Sequence, residues 1–294
     1  MTDTAVLDRL TDDRPFADRF WNSEDGLALH YRDYDGSPDR LPVVCMHGLT
    51  RNARDFAGLA AILAPSRRVI VPEMRGRGDS AYAKDSSTYE GGHYVADVAR
   101  LLGELGIDRF IAIGTSMGGI MTMLLANAYP GRIAAAVIND IGPRIEAVGL
   151  AHIGSYVGQG RSFETWMHAA RALREVQCAA HPKFGIEDWL AMAKRVMVLG
   201  QGGRIAFDYD MSIADTFSEG EAPDLWPFFE ALADVPMVLV RGARSNILSQ
   251  TTAEQMQSRS KALEIVTVAE TGHAPLLTEP EALAAIDRLL EAAP

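Results

Sequence analysis

Short runs of consecutive apolar residues recur along the chain, and the stretches between them carry apolar residues at every third or fourth position. Runs that are apolar throughout are typical of strands buried on both faces of a parallel sheet. Runs that are apolar for most of their length occupy residues 41–46, 68–72, 110–113, 133–138, 235–241 and 263–269. Helical spacing follows several of them, for example over residues 52–63 and 89–105. The pattern therefore predicts an α/β domain in which buried strands alternate with helices.

Two stretches depart from this alternation. Residues 20–21 and 27–34 alternate between apolar and polar positions, and the turn residues 24–26 between them predict a β-hairpin. From residue 143 to residue 222 the pattern consists of helices and glycine-bearing loops, with helical spacing over residues 162–176 and 186–199. This long segment needs no strand of the main sheet, so we expect a helical insertion.

Composition narrows the classes of function. The chain of 294 residues carries a formal net charge of −11, which disfavours nucleic acid and anionic membrane surfaces as partners. Its first ten residues lack the pattern of a secretory signal, and no apolar run approaches the length of a membrane span. Cys45 and Cys178 are too few for a disulfide scaffold or a cysteine metal site. A cytoplasmic location is therefore expected.

One pentapeptide carries the strongest chemical signal. The sequence Gly114-Thr-Ser116-Met-Gly118 follows a predicted strand and opens a predicted helix that ends before Pro130. This strand, turn and helix context is the one required by the G-x-S-x-G nucleophile elbow, in which the glycines make room for a serine at a sharp turn. A glycine-bordered turn without catalysis is the plainer alternative for the pentapeptide alone.

Two further motifs make a family resemblance plain. A predicted strand ends in His47-Gly48-Leu49-Thr50, and the last predicted strand ends in Glu270-Thr-Gly-His273. With the elbow between them, the chain resembles an α/β-hydrolase over nearly its whole length. The resemblance implies a mostly parallel, doubly wound sheet of eight strands, with a helical cap inserted after the sixth strand. Residues 1–142 and 223–294 would then form the hydrolase core and residues 143–222 the cap.

The resemblance also implies roles for single residues. Ser116 is expected to attack a carboxylic ester or lactone, while His273 takes its proton and the backbone N–H groups of Leu49 and Met117 hold the oxyanion. His47 is expected to be structural. The histidines show no metal-binding spacing, so neither a metal nor a cofactor is expected. A small-molecule substrate is the expected partner, and a homodimer is an assembly that the sequence allows.

The acid of the triad has two candidates. The resemblance places it at position 246, where this chain has Asn246, whose amide cannot stabilise an imidazolium by charge. Asp140, at the end of the strand that follows the elbow helix, is the alternative acid, although it could instead cap a turn before Gly142 and Pro143. We expect position 246 to be the family acid site and Asp140 to be its substitute. A deliberate substitution at position 246 is a third explanation.

Two other functions fit parts of the pattern. A hydrolase of C–C bonds in diketone ring-cleavage products would keep the serine and the histidine and differ in its pocket. A ligand-binding protein with the same fold but a weakened triad would suit Asn246, whereas Ser116, His273 and the oxyanion turn disfavour it.

Overall fold

The computed structural model describes residues 15–200, 202–216 and 223–293. The N-terminal residues that bear on the signal prediction, and the predicted end of the cap at residue 222, lie outside this range. Strands β1 to β11 span Ala17–Asn22, Ala28–Tyr34, Val43–Met46, Val69–Pro72, Phe110–Thr115, Ile133–Asn139, Ser162–Phe163, Met197–Leu199, Ile205–Phe207, Met237–Gly242 and Leu263–Val268. Helices α1 to α9 span Ala57–Leu63, Gly91–Glu104, Met117–Ala128, Ala147–Gly154, Trp166–Gln177, Ile186–Val196, Trp226–Glu230, Gln250–Arg259 and Pro280–Ala292.

Eight strands form the main sheet, in the order β1-β2-β4-β3-β5-β6-β10-β11. The β1–β2 and β2–β4 pairs are antiparallel, as the predicted hairpin requires, and the pairs from β4 to β11 are parallel. Strands β3, β4, β5 and β10 are buried along their whole length, because helices cover both faces of the sheet. The predicted α/β-hydrolase sheet is confirmed.

The strand order places the site at one edge of the sheet. Strand β3 lies between β4 and β5, so the chain winds outward in both directions from this point. Ligands of doubly wound proteins bind beyond the carboxyl ends of the strands at such a reversal. The segments that begin at His47, Ser116 and Asp140 all start at this edge. The reason is the register at the ends of β3, β5 and β6, where Met46 pairs with Gly114 and Thr115 pairs with Asn139.

The described part of the predicted cap, residues 143–200 and 202–216, is called here the insert and is more than helical. It contains α4, α5 and α6, and it also contains a three-stranded antiparallel sheet in the order β7-β9-β8. The expectation of a purely helical insertion therefore missed these strands, which are too short for a period of two to stand out. Helices α5 and α6 and this sheet share their own apolar cluster, which includes Trp189 and Met192.

Polar contacts fasten the insert to the rest of the molecule. Arg54, in the 3₁₀ turn Ala53–Phe56 before α1, donates to Asp208 at 2.5 Å and to the carbonyl of Arg195 at 2.9 Å. On the other side, the N–H of Gly272 donates to the carbonyl of Ala180 at 2.6 Å. These contacts hold the insert against the loops that follow β3 and β11.

Candidate active site

Ser116 occupies the turn between β5 and α3 with φ 51° and ψ −114°. A positive φ is strained for a serine, and such strain is concentrated at functional positions. The flanking glycines permit the turn: a Cβ on Gly114 would lie 2.3 Å from the carbonyl oxygen of Gly118, and a Cβ on Gly118 would lie 2.0 Å from that of Met46. The sequence therefore folds locally as an elbow that presents the serine at the edge of the sheet.

His273 bridges Ser116 and Asp140. The imidazole Nε2 lies 2.9 Å from Ser116 Oγ, and Nδ1 lies 2.8 Å from Asp140 Oδ2. With Nδ1–H donating to the carboxylate, Nε2 is left as an acceptor for the hydroxyl hydrogen of Ser116. This tautomer allows the imidazole to take a proton from the serine.

Asp140 is fully buried at the end of β6, and it also has a positive φ of 54°. Its Oδ1 accepts a hydrogen bond from the N–H of Gly242 at 2.8 Å, and its Oδ2 accepts one from Ser245 Oγ at 2.7 Å. Three donors, counting His273, thus converge on one carboxylate. These contacts hold the carboxylate in place beside the imidazole of His273.

Position 246 lies in a different environment. The carbonyl of Asn246 faces Gly149 of α4, where an added Cβ would come within 2.3 Å of it, and the next carbonyl, of Ile247, accepts from the N–H of Glu146. The side chain that reaches Asp140 from this loop belongs to the preceding residue, Ser245. The geometry therefore favours Asp140 over position 246 as the partner of His273.

The predicted oxyanion turn is held by a buried histidine. His47 Nδ1 donates to the carbonyl of Gly48 at 2.8 Å, and its Nε2 accepts from the N–H of Met74 at 3.0 Å. Burial lowers the pKa of His47 to about 4, so the ring stays neutral and keeps these two roles. Because carbonyl and N–H point in opposite directions across a trans peptide, anchoring the Gly48 carbonyl directs the N–H of Leu49 away from His47.

A second side chain fixes the same turn. Buried Arg77 donates to the carbonyl of Leu49 at 2.9 Å and to Tyr94 Oη at 2.8 Å. The N–H of Met117 is the first of α3, where backbone donors lack an intrahelical acceptor. Leu49 lines the same cavity as Ser116, and Met117 follows Ser116 in the chain. Arg77 therefore supports this turn by binding the backbone carbonyl of Leu49.

Two adjoining cavities lie between the sheet edge and the insert. The catalytic cavity, of about 60 Å³, is lined by Gly48, Leu49, Thr50, Arg51, Asp55, Thr115, Ser116, Ile153, Tyr156, Gln177, His273, Ala274, Pro275 and Leu276. The insert cavity, of about 50 Å³, is lined by Thr50, Arg51, Tyr156, Gln159, Arg161, Phe163, Ala172, Leu173, Val176, Gln177, Met192, Val196, Phe207 and Tyr209. Four residues are common to both walls, so the insert shapes the space beside the serine. Sequence reasoning had singled out neither Arg51 nor Gln177.

Away from the triad, the side chains of His30, Glu73 and Asp79 come close enough to suggest a metal site. Their contacts indicate a hydrogen-bonded network instead, because Glu73 accepts from the N–H groups of Ala53 and Asp79 as well as from His30. Among the helices of the described residues, none is long and apolar enough to cross a membrane.

Comparisons with known proteins show which family the chain resembles. A family model described as "Alpha/beta hydrolase family" matches residues 43–286. The 3-hydroxybutyrate-oligomer hydrolase of Cupriavidus necator is 31% identical over 267 residues, which cover 87% of this chain and 90% of that protein. The crystal structure of an alpha/beta hydrolase from Novosphingobium aromaticivorans has 56% identity and a TM-score of 0.91, covering 94% of this chain and 98% of that one. The crystal structure named "Putative Hydrolase from Rickettsia typhi" has 27% identity and a TM-score of 0.85, covering 96% of this chain and 100% of that one.

Proposed function

The chain belongs to the alpha/beta hydrolase family, and we propose that it cleaves carboxylic esters or lactones through an acyl-enzyme formed on Ser116. The observation that carries the proposal is the continuous hydrogen-bonded relay from Ser116 Oγ through His273 to Asp140, with distances of 2.9 Å and 2.8 Å. The serine hydroxyl has a base within reach of its proton, and a buried carboxylate orients that base. These groups are what acyl transfer to a serine requires.

The reaction begins with attack by Ser116 Oγ on the ester carbonyl carbon. As the new C–O bond forms, the hydroxyl proton passes to His273 Nε2, and the carboxylate of Asp140 stabilises the resulting imidazolium. The carbonyl oxygen takes up the electron pair, and the N–H groups of Leu49 and Met117 stabilise the oxyanion. When the tetrahedral intermediate collapses, the bond to the leaving oxygen breaks, and His273 returns the proton to that oxygen.

The second half of the cycle uses the same groups. Water enters, His273 takes one of its protons, and the hydroxide attacks the acyl carbon. Collapse releases the carboxylic acid and returns the proton to Ser116. None of these steps needs a cofactor.

The substrate class is supported by the comparisons and by the shape of the site. The C. necator relative is named for hydrolysis of 3-hydroxybutyrate oligomers, whose units are joined by ester bonds. The catalytic and insert cavities are both small, so we propose short-chain esters as the substrates. The hypothesis of a ligand-binding protein with a weakened triad depended on Asn246. The contact between Asp140 and His273 provides a carboxylate for the imidazole without position 246, so this support for the hypothesis is lost.

Replacing the nucleophile tests the proposal. Ser116→Ala should reduce kcat for p-nitrophenyl acetate by about 10³- to 10⁶-fold, because the acyl-enzyme can no longer form. Ser258→Ala, at an exposed position on α8, is the matched control and should keep parent activity. Thermal melts establish that both variants are folded. Parent-level turnover by folded Ser116→Ala would exclude the proposed mechanism.

A further inference from the structure

Arg51 lies at the junction of the two cavities. It lines the catalytic cavity together with Ser116 and His273, and it lines the insert cavity together with apolar side chains of the insert. A Cβ built on Gly48 would lie 3.4 Å from Arg51 Cγ and 3.7 Å from Ser116 Cβ, so the arginine stem runs beside the nucleophile. A group bound by its guanidinium would therefore be part of the molecule whose ester bond faces Ser116.

The charge of Arg51 is only weakly matched by protein groups. Its Nη1 lies 3.3 Å from Asp55 Oδ1 and 2.9 Å from Met192 Sδ, a weak acceptor. Within the described residues, no side chain or carbonyl accepts a hydrogen bond from its Nε or Nη2. Its side chain is only 17% exposed, so this donor capacity faces the cavities more than bulk solvent. A largely buried guanidinium with unused donors is suited to a carboxylate ligand.

The surroundings favour an anion on the insert side. None of the described residues that line the insert cavity is acidic, whereas Arg161 adds a second cation to its wall. Burial, with the charges of Arg51 and His273 adding to it, lowers the pKa of nearby His181 to about 4. The charge of Arg51 therefore contributes to the lowered pKa of His181, although the whole chain carries a net charge of −11.

Gln177 supplies an independent sign of a polar ligand. Its side chain also lines both cavities, and its buried Oε1 has no hydrogen-bond partner among the described residues. An unsatisfied buried carbonyl is costly unless something donates to it. A hydroxyl group on a substrate would supply that donor.

We propose that Arg51 is a specificity residue that binds the free carboxylate of the substrate, with Gln177 accepting a hydrogen bond from a substrate hydroxyl. The inference rests on the proposed ester hydrolysis and narrows its substrates to short hydroxy-acid esters that carry a free carboxylate a few bonds from the scissile ester. Asp55 competes for the same guanidinium, so its carboxylate limits how tightly the substrate anion is held.

The test compares two substrates that differ only in the group that Arg51 is proposed to bind. The linear dimer 3-(3-hydroxybutanoyloxy)butanoate carries the carboxylate, and its terminal amide is the neutral counterpart. Product release is followed by chromatography, and the readout is the ratio of kcat/KM for the acid to that for the amide. In the parent this ratio should be well above one. Arg51→Met should lower it by about 10- to 100-fold, mainly through KM for the acid, because a hydrogen-bonded charge pair is lost.

Three companion variants sharpen the comparison. Arg51→Lys keeps the charge and should restore part of the ratio, whereas Arg171→Met, at an exposed position on α5, should leave it at the parent value. Asp55→Asn removes the competing carboxylate and should lower KM for the acid by a few-fold.

The outcomes separate this inference from the proposed function. An equal fall in both rates in Arg51→Met, with an unchanged ratio, would overturn the inference and leave ester hydrolysis standing. A parent enzyme that does not prefer the acid, or that cleaves p-nitrophenyl acetate but not the acid dimer, would overturn it as well. Failure of the proposed function would be seen separately, as hydrolysis that persists in Ser116→Ala.

Discussion

At the residue scale, the proposed mechanism depends most on Asp140. Asp140→Asn should lower kcat by about 10⁴-fold, because an amide leaves the imidazolium of His273 without its counter-charge and can hold the wrong tautomer. Asn246→Asp should change kcat by no more than a few-fold, since Asp140 already lies 2.8 Å from His273 Nδ1. Both are measured on one soluble ester between pH 7 and 8, with melts as a folding control. A large gain in Asn246→Asp would return the acid to position 246.

The sequence singled out one candidate nucleophile and one candidate base, whereas it left the acid open between Asp140 and position 246. Ser116 and His273 stand in local motifs, each at the end of a recognisable strand. The acid depends instead on how two distant loops meet, and the structure brings Ser245, the neighbour of Asn246, into contact with Asp140. The loop after β6 and the loop after β10 therefore meet at the carboxylate of Asp140. Only the tertiary arrangement shows which side chain contacts His273.

At the scale of single elements, the elbow is a close contact between α3 and β3. Gly118→Ala should strongly destabilise the fold, because the new Cβ would lie 2.0 Å from the carbonyl oxygen of Met46 and the backbone would have to move. We expect a loss of about 3 kcal/mol or more in the free energy of unfolding.

Gly103→Ala is the matched control for this variant. Gly103 lies in α2, where a Cβ would meet nothing within 4 Å. That change should raise the free energy of unfolding by about 0.5–1 kcal/mol, because alanine favours helix. Urea denaturation measures both variants. Equal stability of parent and Gly118→Ala would contradict the close contact.

The insert should govern which acyl chains fit. Phe207 on β9 lines the insert cavity, so Phe207→Ala enlarges the space next to the serine. The ratio of kcat/KM for p-nitrophenyl hexanoate to that for the acetate should rise by about 10-fold, since each methylene that becomes buried contributes roughly 1 kcal/mol. Val198→Ala, exposed on β8, is the control and should leave the ratio unchanged. An unchanged ratio in Phe207→Ala would mean that the insert does not set chain-length preference.

The strands of the core could be predicted from the sequence, whereas the strands of the insert could not, and the reason is physical. The core strands are long enough and apolar enough for each to be recognised from its own residues. Strand β7 has two residues and pairs with β9 some forty residues later, so nothing local marks it. Short strands of this kind exist only through their tertiary partners.

At the scale of the whole molecule, a buried charge network links the edge of the sheet to the loop after β4. His30 contacts Glu73 through Nδ1 at 2.9 Å and Asp18 through Nε2 at 3.0 Å. Burial opposes the charged imidazole, but the hydrogen bond and charge of Glu73, aided by Asp18, raise the pKa of His30 above its usual value. Burial likewise opposes the ionised form of Glu73, yet His30 and backbone donors lower its pKa.

These two shifts determine how stability depends on pH. A raised pKa for His30 means that its contribution is complete below its unfolded pKa of 6.5 and is lost as pH rises through the folded value. The lowered pKa of Glu73 means that its contribution is present above 4.5 and is lost as pH falls. His30→Gln should therefore destabilise the protein more at pH 6 than at pH 9, as measured by urea midpoints. A loss that is equal at both pH values would contradict a charged His30.

The most direct test of the central claim is the rate and site of covalent labelling by a fluorophosphonate, followed by intact-protein and peptide mass spectrometry. We expect a single adduct on Ser116 in the parent, no adduct in Ser116→Ala, and strongly slowed labelling in Asp140→Asn, because the same imidazole activates the serine toward the probe. An adduct on a different residue, or labelling of Asp140→Asn at the parent rate, would contradict the triad of Ser116, His273 and Asp140.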